Sequence, residues 1–200
     1  MSDRAEPALG WRLWRVRGGL LRSWAVDYAW EVGENHASCF APWRDCPSSP
    51  GRRCRCGFWA LYSPHDCLRR ARDDPNERVS VLGLVRAWGE VAIHGQEGFR
   101  AEKAAVACLF TDWPWDEPML MDNRGSNWLR RFRRRFLQLA APETDPSRLM
   151  QLQAAATRYG VPLVSLRQAV DYGLLQELGT EPDICRQIAA WLGGGKPTPD

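Results

Sequence analysis

The chain has 200 residues, 44% apolar and 26% charged, with a formal net charge of +3. A chain of this size buries roughly 70% of its unfolded surface, which excludes a fold that depends on metal or disulfides for its whole core. The mild net charge excludes binding to a polyanion by overall charge alone.

Two further exclusions concern the membrane. No apolar run approaches the ~20 residues that span a bilayer. The opening MSDRAEPALGW has no basic stretch followed by an apolar one, so it does not read as a secretory signal. The expectation is a cytoplasmic protein, a compartment in which disulfides are rare. Three features depart from ordinary composition: eleven Trp, seven Cys, and a basic set of 27 in which only Lys103 and Lys196 are lysines. Arginine suits bidentate phosphate contacts and aromatic stacking better than lysine does.

In chain order, residues 1–9 read as a disordered leader. GWRLWRV then reads as a strand, with Trp11, Leu13 or Trp14, and Val16 close to alternation, and Gly18-Gly19 as a turn. LLRSWAVDYAW continues as a strand that places Leu20, Arg22, Trp24, Val26, Tyr28 and Trp30 on one face. Residues 31–53 form a turn-rich loop, and CGFWALY a short strand. Ser63-Pro64 matches a helix start, and Asp74-Pro75-Asn76 stops that helix. Residues 79–110 predict a second hairpin turning at Gly95–Gly98, with Gly83 and Gly89 marking bulges or close backbone approach. Its second arm, rich in Ala, Glu and Lys, competes as a helix, but the alternation of Val106, Cys108 and Phe110 favours strand.

SNWLRRFRRRFLQLAA predicts a helix over 126–140. Trp128, Phe132 and Phe136 form a stripe at helical period, and Arg130, Arg131, Arg133, Arg134 and Arg135 form the opposite face. An acidic loop (Asp112, Asp116, Glu117, Asp122) precedes it, in which Trp113 and Trp115 are candidate exposed anchors. Further helices are predicted over 146–159, about 165–178 and about 182–192, before a disordered tail at 193–200. QLQAAATRYGVPLVSLRQAVDYG fits either a helix-turn-helix or a helix, a short strand and a helix; Pro162, Val161 and Val164 favour the strand.

The densest chemistry lies in CFAPWRDCPSSPGRRCRCG. Cys39, Cys46, Cys54 and Cys56 are spaced C-x6-C-x7-C-x-C among Pro and Gly turns and four arginines. Four soft ligands from a loop and tight turns suit tetrahedral zinc, and His36 is a substitute ligand. Unmetallated thiols, a catalytic zinc or reactive cysteine, and disulfides are the competing readings. Cys67, Cys108 and Cys185 sit in apolar patterns and read as small core residues. His94, Arg100 and Glu102, across the second hairpin, are the only acid/base trio on offer, and no nucleophile-elbow or phosphate-loop motif accompanies them. The enzyme reading is therefore the weaker one.

Cys54, Cys56 and Gly57, followed by Val81, Gly83, Val85, Trp88, Gly89, Val91 and His94 and then Gly98, Arg100, Ala101 and Glu102, form a pattern that resembles a family of small uncharacterised actinobacterial proteins. The resemblance spans about residues 11–110 and implies one folded unit there. It brings no activity with it. Where the family pattern has a His near the second ligand position, this chain has Cys46.

These readings combine into an α+β expectation. A Trp-rich, zinc-stapled antiparallel β domain with one helix occupies 10–112, and a mainly helical region occupies 113–192. The expected function is a non-enzymatic nucleic-acid-binding or regulatory protein, with the five arginines of 130–135 on phosphates. The alternatives are an adaptor whose arginine helix and Trp-rich surface meet an acidic protein partner, and a small hydrolase or transferase built on His94 and Glu102.

Overall fold

The structure is a computed structural model and describes residues 7–40, 46, 48–71, 80–111 and 146–192. The leader over 1–6, the stop at 74–76, the Trp113/Trp115 loop, the Arg-rich segment 126–140 and the tail at 193–200 lie outside the described residues.

The hairpin predicted over 79–110 dominates the fold. β5 (Ser80–His94) and β6 (Gly98–Phe110) pair antiparallel from Gly83–Leu109 to His94–Gly98. The helical alternative for the second arm gives way because both faces of the strand carry apolar residues that the sheet buries. Both predicted glycine roles appear. Gly89, with φ +80°, lies in the register shift between Trp88 and Val91, a conformation that favours glycine. Gly83 has no room for a Cβ, which would strike the Cys108 carbonyl.

β1 (Ala8–Arg17) begins inside the stretch read as a leader, because Ala8 and Leu9 find partners on β5. It pairs along β5 from Ala8–Ala87 to Arg15–Ser80, and along β2 (Leu20–Ser23) across the Gly18-Gly19 turn. β4 (Phe58–Leu61) pairs with β6, and its Leu61 also meets Trp11 of β1. That last pair closes the path β1–β5–β6–β4 into a ring. At the seam, the Arg12 guanidinium donates to the Trp59 carbonyl and, at 3.0 Å, to Ser23 Oγ, while lying 4.9 Å from the centre of the Trp30 ring. Burial lowers its pKa to about 10, so it remains charged at neutral pH. The two-residue β3 (Asn35–His36) and β7 (Leu163–Val164) also pair with β6, β7 in parallel.

Helix α1 (Pro64–Ala71) starts where Ser63-Pro64 predicts. Helix α2 (Pro146–Tyr159) matches its predicted span. The predicted 165–178 helix divides into α3 (Leu166–Asp171) and α4 (Leu174–Glu177), because Gly173 takes a left-handed conformation between them. Ser165 and Gln168 form a reciprocal capping box at the start of α3. The last helix, α5, runs Pro182–Leu192. The helix-turn-helix reading of this segment is corrected: the chain leaves α2 through Gly160 and Pro162 into β7, whose pairing with Leu109 and Phe110 satisfies backbone groups that a tight helical turn would not.

Two apolar clusters form. One joins Trp11, Leu13, Leu82, Leu84, Cys108 and Phe110 to Cys67 of α1 and to Leu166, Leu175 and Ile188 of the later helices. The other joins Trp14, Val16, Leu21, Trp30, Phe58, Phe99 and Leu109 to Leu152, Ala155 and Tyr159 of α2. Trp11/Leu13 and Trp14/Val16 thus serve different clusters, and this explains their broken alternation. Tyr159 Oη accepts from Leu21 N at 3.1 Å and donates to the Trp30 carbonyl at 2.6 Å, which ties α2 to the sheet.

The expected long strand over 20–30 is corrected. β2 ends at Ser23, and the chain doubles back so that Ser23 N bonds the Tyr28 carbonyl and Trp30 N the Leu21 carbonyl. An Arg22–Asp27 ion pair spans the turn. The buried face is Leu21 and Ser23, not the one carrying Leu20, Arg22 and Trp24, and Val26 is exposed.

Candidate metal centre

The loop from Ser38 to Gly57 leaves and rejoins the sheet at adjacent points. Ala37 N bonds the Glu102 carbonyl, and Phe58 pairs with Ala101. A connection of this length is uncommon in a compact domain unless something fixes it, and closing it costs chain entropy. It carries the four clustered cysteines. The Sγ atoms of Cys39, Cys46, Cys54 and Cys56 lie within 4.8 Å of one another. Metal–sulfur bonds of about 2.3 Å in a tetrahedron place sulfurs about 3.8 Å apart, so the four thiols can hold a metal ion with small adjustment. None is in a disulfide.

The sequence explains how these residues converge. Gly51 has no side chain where a Cβ would collide with Cys46 Sγ, and its N–H donates to Cys56 Sγ at 3.2 Å. The Cys54 N–H closes a turn on the Gly51 carbonyl at 3.1 Å. The C-x-C spacing, unusual for a metal knuckle, finds its reason in Arg100. This side chain is buried at 3% exposure, and its Nη1 donates to the Cys54 carbonyl at 2.5 Å and the Cys56 carbonyl at 2.9 Å. Residues two apart can send both carbonyls one way and both thiols another. Gly57, at φ +110°, then lets the chain pass Arg100 into β4.

The four thiols also influence one another's ionisation. Hydrogen bonding from the Cys56 backbone, with help from neighbouring thiols, lowers the Cys54 pKa to about 6, whereas hydrogen bonding to Cys56 together with desolvation raises Cys46 to about 12. One thiolate forms at the expense of its neighbours, because several negative charges at this spacing repel. A divalent cation removes that conflict.

His36 does not join the cluster: its Nε2 lies 2.5 Å from Glu34 Oε1, and the group is completed by Cys46. Cys67, Cys108 and Cys185 are buried in the apolar cluster, as their patterns predict. The His94–Arg100–Glu102 trio comes together only in part. Arg100 Nε donates to His94 Nε2 at 2.5 Å, and His94 lies against Trp59, with ring centres 4.5 Å apart. Desolvation, with the nearby Arg100 charge, lowers the His94 pKa. Glu102 instead accepts from Glu90 N at 3.1 Å, inside the bulge. The carboxylate thus serves the backbone of β5, while Arg100 and His94 are hydrogen-bonded to each other. The anchoring role of Arg100 was not read from the sequence. Its signal was an arginine inside the strand pattern GFRA, where a buried guanidinium requires acceptors.

No family model, curated protein or solved structure matches this chain. The site therefore rests on its geometry. The five arginines of 130–135 lie outside the described residues, and no described helix is long and apolar enough to cross a membrane.

Proposed function

We propose that the protein is a non-enzymatic, cytoplasmic nucleic-acid-binding or regulatory protein whose cysteine loop is fixed by a structural zinc ion. The observation that carries the reading is the convergence of four thiols within 4.8 Å. Four protein ligands complete a tetrahedron and leave no open position for a metal-bound water, the arrangement of structural sites. Soft thiolates favour zinc among the divalent cations of the cell. The zinc would clip a loop whose surface presents exposed Arg52, Arg53 and Arg55. Together with the arginine run at 130–135, these give the chain two local sources of phosphate contacts despite its mild net charge.

Titrating labelled single- and double-stranded nucleic acids across a salt series tests this reading. Binding should weaken steeply with salt, and replacing Arg130, Arg131, Arg133, Arg134 and Arg135 with Gln should reduce the slope of log K against log salt by about 4 on duplex DNA. No binding at low salt, or binding insensitive to salt, contradicts it. The adaptor reading draws support from exposed Phe40 and Ile93, at 58% and 64%. Partners that survive nuclease treatment would favour it.

A further inference from the structure

Two of the sulfur–sulfur contacts within the group, none of whose separations exceeds 4.8 Å, are close. Cys39 and Cys54 Sγ are 3.5 Å apart, and Cys46 and Cys56 Sγ are 3.4 Å apart. A disulfide needs about 2.05 Å between sulfurs, so each pair must close by about 1.4 Å to bond. Among the described residues, contacts that do not use the thiols join this loop to the sheet. Arg100 grips the carbonyls of Cys54 and Cys56, and Phe58 and Ala37 bond to β6 through the backbone. The sulfur chemistry can therefore change while the loop keeps its place.

We propose that the centre is a peroxide-responsive redox switch in which Cys39 bonds to Cys54, and Cys46 to Cys56, as the metal ion leaves. The proposal rests on reading the cluster as a metal centre. In the metal-bound form all four sulfurs are thiolates. One thiolate of a pair attacks an oxygen of hydrogen peroxide; the O–O bond breaks, hydroxide leaves, and a sulfenic acid forms. The second thiolate attacks that sulfur; the S–O bond breaks, a second hydroxide leaves, and the disulfide forms. Each pair gives two electrons to one peroxide. Two peroxides thus convert four thiolates into two disulfides and four hydroxides, and free the divalent cation. A dithiol reductant and fresh metal reverse the change. The other three cysteines, Cys67, Cys108 and Cys185, are buried at 1%, 0% and 4% exposure and stay outside it.

The test is to titrate the full-length, zinc-loaded, reduced protein with hydrogen peroxide. Zinc release is followed with a colorimetric chelator, disulfides are mapped by digestion and mass spectrometry, and the fold is followed by circular dichroism. The expected result is loss of the zinc at two peroxides per chain, the Cys39–Cys54 and Cys46–Cys56 linkages, unchanged secondary structure, and recovery of zinc binding after reduction. In Cys39→Ser, Cys46–Cys56 should still form while Cys54 stops at a sulfenic acid that dimedone traps. A Cys54–Cys56 linkage, scrambled pairs, sulfinic acids in place of disulfides, or zinc retained through the titration would overturn the switch and leave the metal centre standing. A reduced protein that takes up no zinc would remove both.

Discussion

Cys108 and Cys54 carry the same thiol in opposite surroundings. Cys108 lies in β6 with none of its surface exposed, in one apolar cluster with Leu82, Leu84 and Phe110, and burial raises its pKa to about 12. It behaves as a small apolar side chain. Cys54 lies in a loop, half-buried among three other thiols, and hydrogen bonding lowers its pKa to about 6. The sheet is held by burial and needs no metal. The loop is held on the sheet by Arg100 and by backbone bonds to β6. Changes in the sheet should therefore act on stability alone, whereas changes at the loop's anchor should reach metal binding as well.

The largest effect on stability should come from the sheet. Trp14, fully buried edge-on to Trp30 at 5.4 Å, should cost about 3–5 kcal/mol when replaced by Ala. Chemical denaturation measures this, and zinc affinity well below the transition should stay near the wild-type value. A matching collapse of zinc affinity would break the comparison.

Arg100→Met should act on the loop. It leaves the Cys54 and Cys56 carbonyls without their donor. The expected loss of zinc affinity is about 10–100-fold, typical of groups that orient metal ligands, with a stability cost of about 1–3 kcal/mol for the orphaned acceptors. Competition with a chelating dye reads the first and denaturation the second.

Cys108→Ala should be milder, about 1 kcal/mol, with zinc content unchanged. Its clearest mark is in pH. The folded thiol keeps its proton up to about 12, whereas the ordinary value is 9.0. Between those values the unfolded chain binds fewer protons, so stability falls as pH rises through the window. Denaturation at a series of pH values should show a shallower alkaline decline in the variant than in the wild type.

How much of this was legible in the sequence depends on the range of the interaction. Pro64 and Pro146 start helices, and Gly95–Gly98 turns the long hairpin, because each rule is local. The cluster of four cysteines was legible by type and spacing. Elements fixed at long range were not. β2 stops at Ser23 because the chain doubles back through Tyr28 and Trp30, which an alternation pattern does not register. β7 is a strand because it finds β6, far earlier in the chain. Glu102 leaves its expected partners because the bulge at Gly89 presents a backbone N–H to it. The choice between Cys46 and His36 was open in the sequence. In the structure Cys46 lies with the other three thiols, and β3 places His36 beside Glu34.

The most direct test of the metal centre is the zinc content of the purified, reduced protein by plasma mass spectrometry, measured beside a Cys54→Ser/Cys56→Ser variant. The account predicts one zinc per chain in the wild type and none in the variant, whose sheet still gives the wild-type β signature by circular dichroism. A wild-type protein that holds no metal, and takes up none when zinc is supplied, would contradict it.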